Sequence, residues 1–191
     1  MQTIIVMILA LASGISALES HTIKQAPIRE QRKLALSGEL GWNGLVGLGP
    51  VVTYYAVPRL GVDAGLGIGG MGYKLGGRAR FVFLRGNWSP YLGAGIIYET
   101  GTLNRAQEIK DENGVPFKLQ VTPMYFIQLV QGLERMGPEG FVFSLNVGYA
   151  ARVGGGAITY PERTPSLAMR DALNLLVSSG LVFALGAGIA F

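Results

Sequence analysis

The last nineteen residues, Leu173 to Phe191 (LNLLVSSGLVFALGAGIAF), carry no charge and end the chain on phenylalanine. Hydropathy alone permits a transmembrane helix, for which about 18 uncharged residues suffice. The internal order argues for a strand instead. Leu173, Leu175, Val177, Leu181, Phe183, Leu185, Ala187, Ile189 and Phe191 share one parity, broken only by Ser179. The other parity holds mostly small or polar residues, among them Asn174, Ser178, Gly180, Ala184, Gly186 and Gly188. A repeat of two belongs to a strand with unlike faces. With the bulky face toward lipid and the small face toward an interior, this is the closing strand of a transmembrane β-barrel.

Composition agrees with one such domain. The chain has 191 residues, 49% hydrophobic and only 15% charged, with 29 glycines; soluble domains carry about 25% charge. Long apolar runs occur only at the two ends. The absence of cysteine excludes a disulfide framework, a thiolate metal site and a cysteine nucleophile. The net charge of +4 is modest, and Lys24, Arg29, Arg32 and Lys33 crowd one short segment. No basic stripe interleaved with aromatics remains for nucleic acid.

Ile4 to Ala12 is a nine-residue apolar core followed by small residues, the pattern of a signal peptide over 1–17 with cleavage between 14 and 17. Ala12–Gly14 and Gly14–Ser16 both satisfy the small-x-small rule, so the site is not unique. The usual basic start is missing, which leaves an uncleaved anchor open. Residues 18–33, polar and without a two-residue period, are expected to form a flexible tail.

From 34 to 191 the chain divides into eight alternating segments. The first, Leu34 to Trp42, is closed by Asn43-Gly44, a pair suited to tight hairpins. The second, Leu45 to Val57, has ambiguous faces. The third sets Leu60, Val62, Ala64, Leu66 and Ile68 outward, against Asp63 and four glycines. In the fourth, Gly77 to Arg85, Arg78 and Arg80 are expected to point inward or to lie beyond the hydrocarbon, because an arginine facing mid-bilayer lipid costs about 2–4 kcal/mol. The fifth begins at Pro90 and puts Glu99 inside. The sixth spans Leu119 to Leu133, with Pro123 as a bulge. The seventh opposes Phe141, Phe143, Leu145, Val147 and Tyr149 to Val142, Ser144, Asn146, Gly148 and Arg152. Thr164-Pro165 carries a helix-start signal in the loop before the eighth, so a short helix there, with the eighth strand starting nearer Asn174 or Val177, is an open alternative. If the termini share one side, the turns on that side are short, whereas the opposite connections 101–118 and 154–172 are long.

The fold class expected is therefore all-β, an eight-stranded antiparallel transmembrane up-and-down barrel. The glycine-punctuated strands, the WSPYLGAG segment at Trp88 to Gly95 and the ending FALGAGIAF resemble the small Gram-negative outer-membrane barrels of the OmpA, OmpX and OmpW superfamily. That resemblance implies an outer-membrane location, a periplasmic tail and outer-membrane lipid as surroundings. It also implies that Phe183, Leu185, Ala187, Ile189 and Phe191 are read by the barrel-assembly machinery.

Eight strands enclose a lumen that side chains just fill. Glu39, Asp63, Arg78, Arg80, Glu99 and Arg152 are expected inside it, with Arg78, Arg80, Glu99 and Arg152 toward the outer end. Such charges can satisfy one another and plug the barrel, or line a gate. The inward glycines leave open whether a narrow cavity persists. The leading function is structural or interactive, with loops 101–118 and 154–172 offered to an extracellular or periplasmic partner. The alternative is a narrow channel or binding barrel for a small, apolar ligand, as the OmpW resemblance implies. A lipid-modifying barrel enzyme ranks lower: the one histidine, His21, lies in the tail, and no nucleophile is paired with a base. No cofactor or metal motif is present.

Overall fold

The computed structural model describes residues 27–191 except 104 and 112. The signal segment 1–17 and His21 lie outside the described residues. The described chain runs α1 (Ile28–Gln31), β1 (Leu34–Trp42), β2 (Leu48–Val57), β3 (Leu60–Ile68), β4 (Tyr73–Val82) and β5 (Trp88–Glu99). It continues through β6 (Gln107–Lys110), β7 (Pro116–Val121), β8 (Met124–Met136), β9 (Phe141–Gly155), β10 (Ile158–Thr159), α2 (Leu167–Val177) and β11 (Gly180–Ala190).

Eight of these strands close into an antiparallel barrel in the order β1-β11-β9-β8-β5-β4-β3-β2. The last strand pairs with the first from Ala35 opposite Ala190 to Trp42 opposite Phe183. Phe191 completes the seam, its N–H donating to the Leu34 carbonyl at 2.7 Å. Closure removes every free edge from the sheet, which an apolar surround requires of any spanning structure. No helix among the described residues is long and apolar enough to cross a membrane.

The outer surface follows from the alternation read in the sequence. Leu36, Leu40, Val62, Leu66, Ile96, Leu129 and Val147 form an exposed apolar belt. Tyr54, Phe81, Trp88, Phe141 and Phe191 ring it at the end that holds the termini, and Trp42, Tyr73, Tyr125, Tyr149 and Phe183 ring it at the loop end. Two aromatic girdles around an apolar band are the mark of a barrel standing in a bilayer. The charged side chain on the outward positions of the barrel strands is Arg135, at the termini end, where its guanidinium lies 5.7 Å from the Trp88 ring.

Several boundaries differ from the sequence reading. The eighth segment is two elements: Leu173 to Val177 finish α2, and the strand starts only at Gly180. Ser166 caps α2 through its hydroxyl, which accepts from the Met169 N–H, so the helix-start signal is real but displaced by two residues. β4 begins at Tyr73 rather than Gly77. Pro123 is not a bulge but a break that separates β7 from β8. The connection 101–118, the start of the next segment and Ile158–Thr159 of the 154–172 connection build a small sheet, β10-β7-β6, standing beyond the barrel's loop end. Its hairpin turns at Asp111 to Val115, with Gly114 at φ +76°.

Two segments turn inward. Asn43-Gly44 does not close a two-residue hairpin: β2 starts at Leu48, and Leu45 and Val46 fold into the barrel mouth, both fully buried. Burying each side chain contributes about 1.5–3 kcal/mol. At the opposite end, the described part of the expected flexible tail is an ordered element. α1 lies against the termini end of the barrel, and Arg29 is 1% exposed.

Candidate functional site

The lumen is filled from side chains that adjacent strands deliver to matching heights. Thr53, Asp63 and Arg78 stand opposite one another on β2, β3 and β4. The Thr53 hydroxyl donates to Asp63 Oδ1 at 2.8 Å, and Arg78 Nη2 meets Asp63 Oδ2 at 2.8 Å. Glu39 approaches the same guanidinium, at 3.6 Å. Arg80 lies one inward position further along β4, with its Nε 3.0 Å from Asp63 Oδ1 and its Nη1 2.8 Å from Glu134 Oε2.

Glu134 is the hub at the termini end. Its Oε2 also accepts from the Tyr55 hydroxyl at 2.6 Å, and its Oε1 accepts from Arg29 Nε at 3.0 Å. Arg29 Nη1 donates to the carbonyls of Leu84 and Gly86. The Arg80 guanidinium sits 4.8 Å from the Tyr91 ring and 5.5 Å from the Tyr55 ring. The Tyr91 hydroxyl in turn bonds Asn146. Three arginines (29, 78, 80) face three carboxylates (39, 63, 134), so +3 and −3 cancel within one connected chain of contacts. Charges removed from water survive only when paired in this manner.

A second, smaller pair lies toward the loop end. Lys74 Nζ is 3.6 Å from Glu99 Oε2, and Glu99 Oε1 accepts from the Met71 N–H at 2.9 Å.

The inward glycines are explained by their neighbours. A Cβ at Gly65 would stand 2.6 Å from Val46 Cγ1, and one at Gly76 would stand 2.7 Å from Leu45 Cδ1. At Gly132 it would overlap the Tyr91 ring, and at Gly93 it would press on the Arg78 stem at 3.0 Å. The missing side chains are the space into which the plug residues fit.

Of the residues singled out in the sequence, Glu39, Asp63, Arg78, Arg80 and Glu99 are buried in the lumen. Arg78 and Arg80 do not sit toward the outer end. The earlier start of β4 places them in its middle and in its termini half. Arg152 is outside the network altogether. β9 continues past its pairing with β11, which ends at Ala150 opposite Gly180, and a bulge at Tyr125 to Phe126 shifts its partner strand. Arg152 is exposed, and its Nη1 donates to the carbonyls of Gly156 and Val177.

Arg29 and Glu134 were not among the residues singled out. Glu134 was findable, since it shares parity with Met124, Phe126, Gln128, Val130 and Gly132 once the strand is extended past Leu133. Arg29 had no such signal, because a four-residue helix before the first strand leaves no period to read.

Solved structures resemble this architecture. The N-terminal β-barrel domain of Pseudomonas aeruginosa OprF is similar with a TM-score of 0.50 and 14% identity, over 83% of this chain and 96% of that one. The fold is that of a small outer-membrane barrel. Escherichia coli outer membrane protein W has a TM-score of 0.42 and 15% identity, over 88% of this chain and 100% of its own. Acinetobacter baumannii CarO2 has 0.35 and 11%, over 84% and 99%. No protein-family model matches the chain, and no curated relative is similar to it in sequence.

Proposed function

We propose that this protein is an integral barrel of the Gram-negative outer membrane whose lumen is sealed and whose work is done by the surfaces it presents. The observation that carries the reading is the packed lumen: Glu134 shared by Arg29, Arg80 and Tyr55, with Leu45 and Val46 filling the mouth above. A barrel of eight strands has no room left for a solute path once such residues occupy it. The apolar belt between two aromatic girdles supports the membrane location.

In this reading α1 and the C-terminus lie on the periplasmic side, and the β6–β7 hairpin, β10 and α2 lie on the cell surface as partner-facing elements. Phe183, Leu185, Ala187, Ile189 and Phe191 all lie on the outward face and serve the assembly machinery as a C-terminal signal. A structural or interaction role fits these features better than catalysis.

An epitope inserted between Asn113 and Gly114 tests the placement, because a Cβ at Gly114 has no neighbour within 4 Å. Antibody labelling of intact cells, with the protein in the outer-membrane fraction, is the expected result. Labelling only after the outer membrane is permeabilised would contradict it.

A further inference from the structure

A cavity of about 420 Å³ opens at the loop end between the projecting end of β9, β10 and α2. Its polar lining is Arg152, Arg170, Tyr160, Asn174 and Ser178, with Val177 on the apolar side. Every one of those polar residues supplies a hydrogen-bond donor, and no carboxylate lines the space. That bias is unusual in a loop region that also contains acids. Two acids of the same loops are spent elsewhere, Glu162 on Lys118 and Asp111 on Arg163, and Asp171, next to Arg170 in α2, does not line the space. Neither Arg152 nor Arg170 has an ion-pair partner among the described residues.

Arg152 is also held in place. Its backbone N–H donates to Ser179 Oγ at 2.9 Å, its Nη1 is fixed by the carbonyls of Gly156 at 3.2 Å and Val177 at 3.0 Å, and its other guanidinium N–H groups meet no protein acceptor among the described residues. The Val177 bond places a cation on the C-terminus of α2, which offsets the negative end of the helix dipole where an anion would otherwise be repelled. Partial burial pushes the Tyr160 hydroxyl above its ordinary pKa even though Arg170 pulls the other way, so it remains a donor at neutral pH.

Depth narrows the ligand. Arg152 is three residues beyond Tyr149 of the loop-end girdle, roughly 10 Å along a strand at about 3.3 Å per residue. A tilt of about 45° reduces that to roughly 7 Å of height, and the polar zone of each leaflet is about 5–8 Å deep. Leu175 and Leu181 are exposed beside the site, at 61% and 73%. The pocket is also within the size range of organic-ligand sites, about 300–1,000 Å³.

We propose that Arg152 and Arg170 form a binding site for a phosphate monoester, with a phosphorylated outer-leaflet lipid headgroup as the ligand its depth favours. Guanidinium groups bind phosphate oxygens through paired, charge-assisted hydrogen bonds, which lysine cannot reproduce.

The test uses the refolded full-length protein, shown to be folded by its heat-dependent gel shift. Its binding is measured to bicelles containing phosphatidic acid, to phosphatidylcholine bicelles, and to inorganic phosphate in detergent. Saturable binding to phosphatidic acid bicelles alone, weakened at least about tenfold by Arg170→Gln, supports the headgroup source. Equal binding of inorganic phosphate, weakened likewise, keeps the phosphate site and assigns it to a soluble ligand. Arg152→Lys retains the charge and loses the fork, and is expected to weaken binding as well. Because the Arg170 side chain donates no hydrogen bond among the described residues, its variant is expected to fold normally, and the same heat-dependent gel shift checks it. Binding unchanged in Arg170→Gln, or no preference for phosphate over phosphatidylcholine, would overturn the proposal. Conductance through the lumen plays no part in these readouts, so the outcome is independent of the sealed-barrel reading.

Discussion

Arg29 and Glu134, 105 residues apart in the chain, meet at 2.9–3.0 Å with side chains 0% and 1% exposed. This contact ties the segment before the first strand to the far end of β8. It also completes the charge balance of the lumen. Removing a partner from a buried pair typically costs about 3–5 kcal/mol. Glu134→Ala leaves Arg29 without a carboxylate and Arg80 with Asp63 alone, and is expected to reach that range in urea unfolding from lipid vesicles. Arg29→Ala leaves Glu134 with Arg80 and Tyr55 and is expected to cost less.

Tyr55→Phe removes one hydroxyl that donates to a charged acceptor at 2.6 Å. Hydrogen bonds to charged groups contribute about 1.5–3 kcal/mol. The loss should largely vanish in the Glu134→Gln background, where the acceptor is no longer charged. A double-mutant cycle that shows no coupling would place the stabilisation elsewhere.

The filled-glycine account separates two substitutions that look alike in sequence. Gly132→Ala drives a methyl into the Tyr91 ring and should cost about 1–3 kcal/mol as overpacking. Gly38→Ala, on the outward face with nothing within 4 Å of the added carbon, should be neutral within about 0.5 kcal/mol. Unfolding midpoints of the two variants measured side by side decide it.

The barrel itself was legible because lipid on one side and a packed interior on the other impose a period of two. That period correctly turned Arg78, Arg80, Asp63, Glu39 and Glu99 inward. Height was less legible than direction. Alternation says which way a side chain points, but only strand ends say how deep it lies, and Gly72 and Tyr73 gave no turn signal strong enough to set the start of β4. Arg152 has the inward parity yet lies past the last β9–β11 pair, where there is no lumen left to enter. Leu45 and Val46 looked like the start of a strand, because a loop that folds into an apolar interior has the composition of one. Leu173 to Val177 misled for a related reason: one turn and a half of helix supplies too few residues for its period to be told from a strand's.

Deletion of Phe191 removes the backbone group that bonds Leu34 across the seam, as well as an exposed terminal aromatic. Slower assembly and less folded barrel in the outer membrane are expected. Phe191→Ala keeps the backbone bond, so a comparable defect in that variant would trace the effect to the ring. Normal rate and yield for the truncated chain would remove this residue from any assembly signal.

The central claim is that the lumen is sealed by the network around Glu134, and single-channel recording in planar bilayers tests it most directly. The account predicts no sustained conductance for the native protein, and discrete steps for the double variant Arg80→Ala, Glu134→Ala once its folding is verified. Reproducible open steps from the native protein, unchanged in that variant, would contradict it.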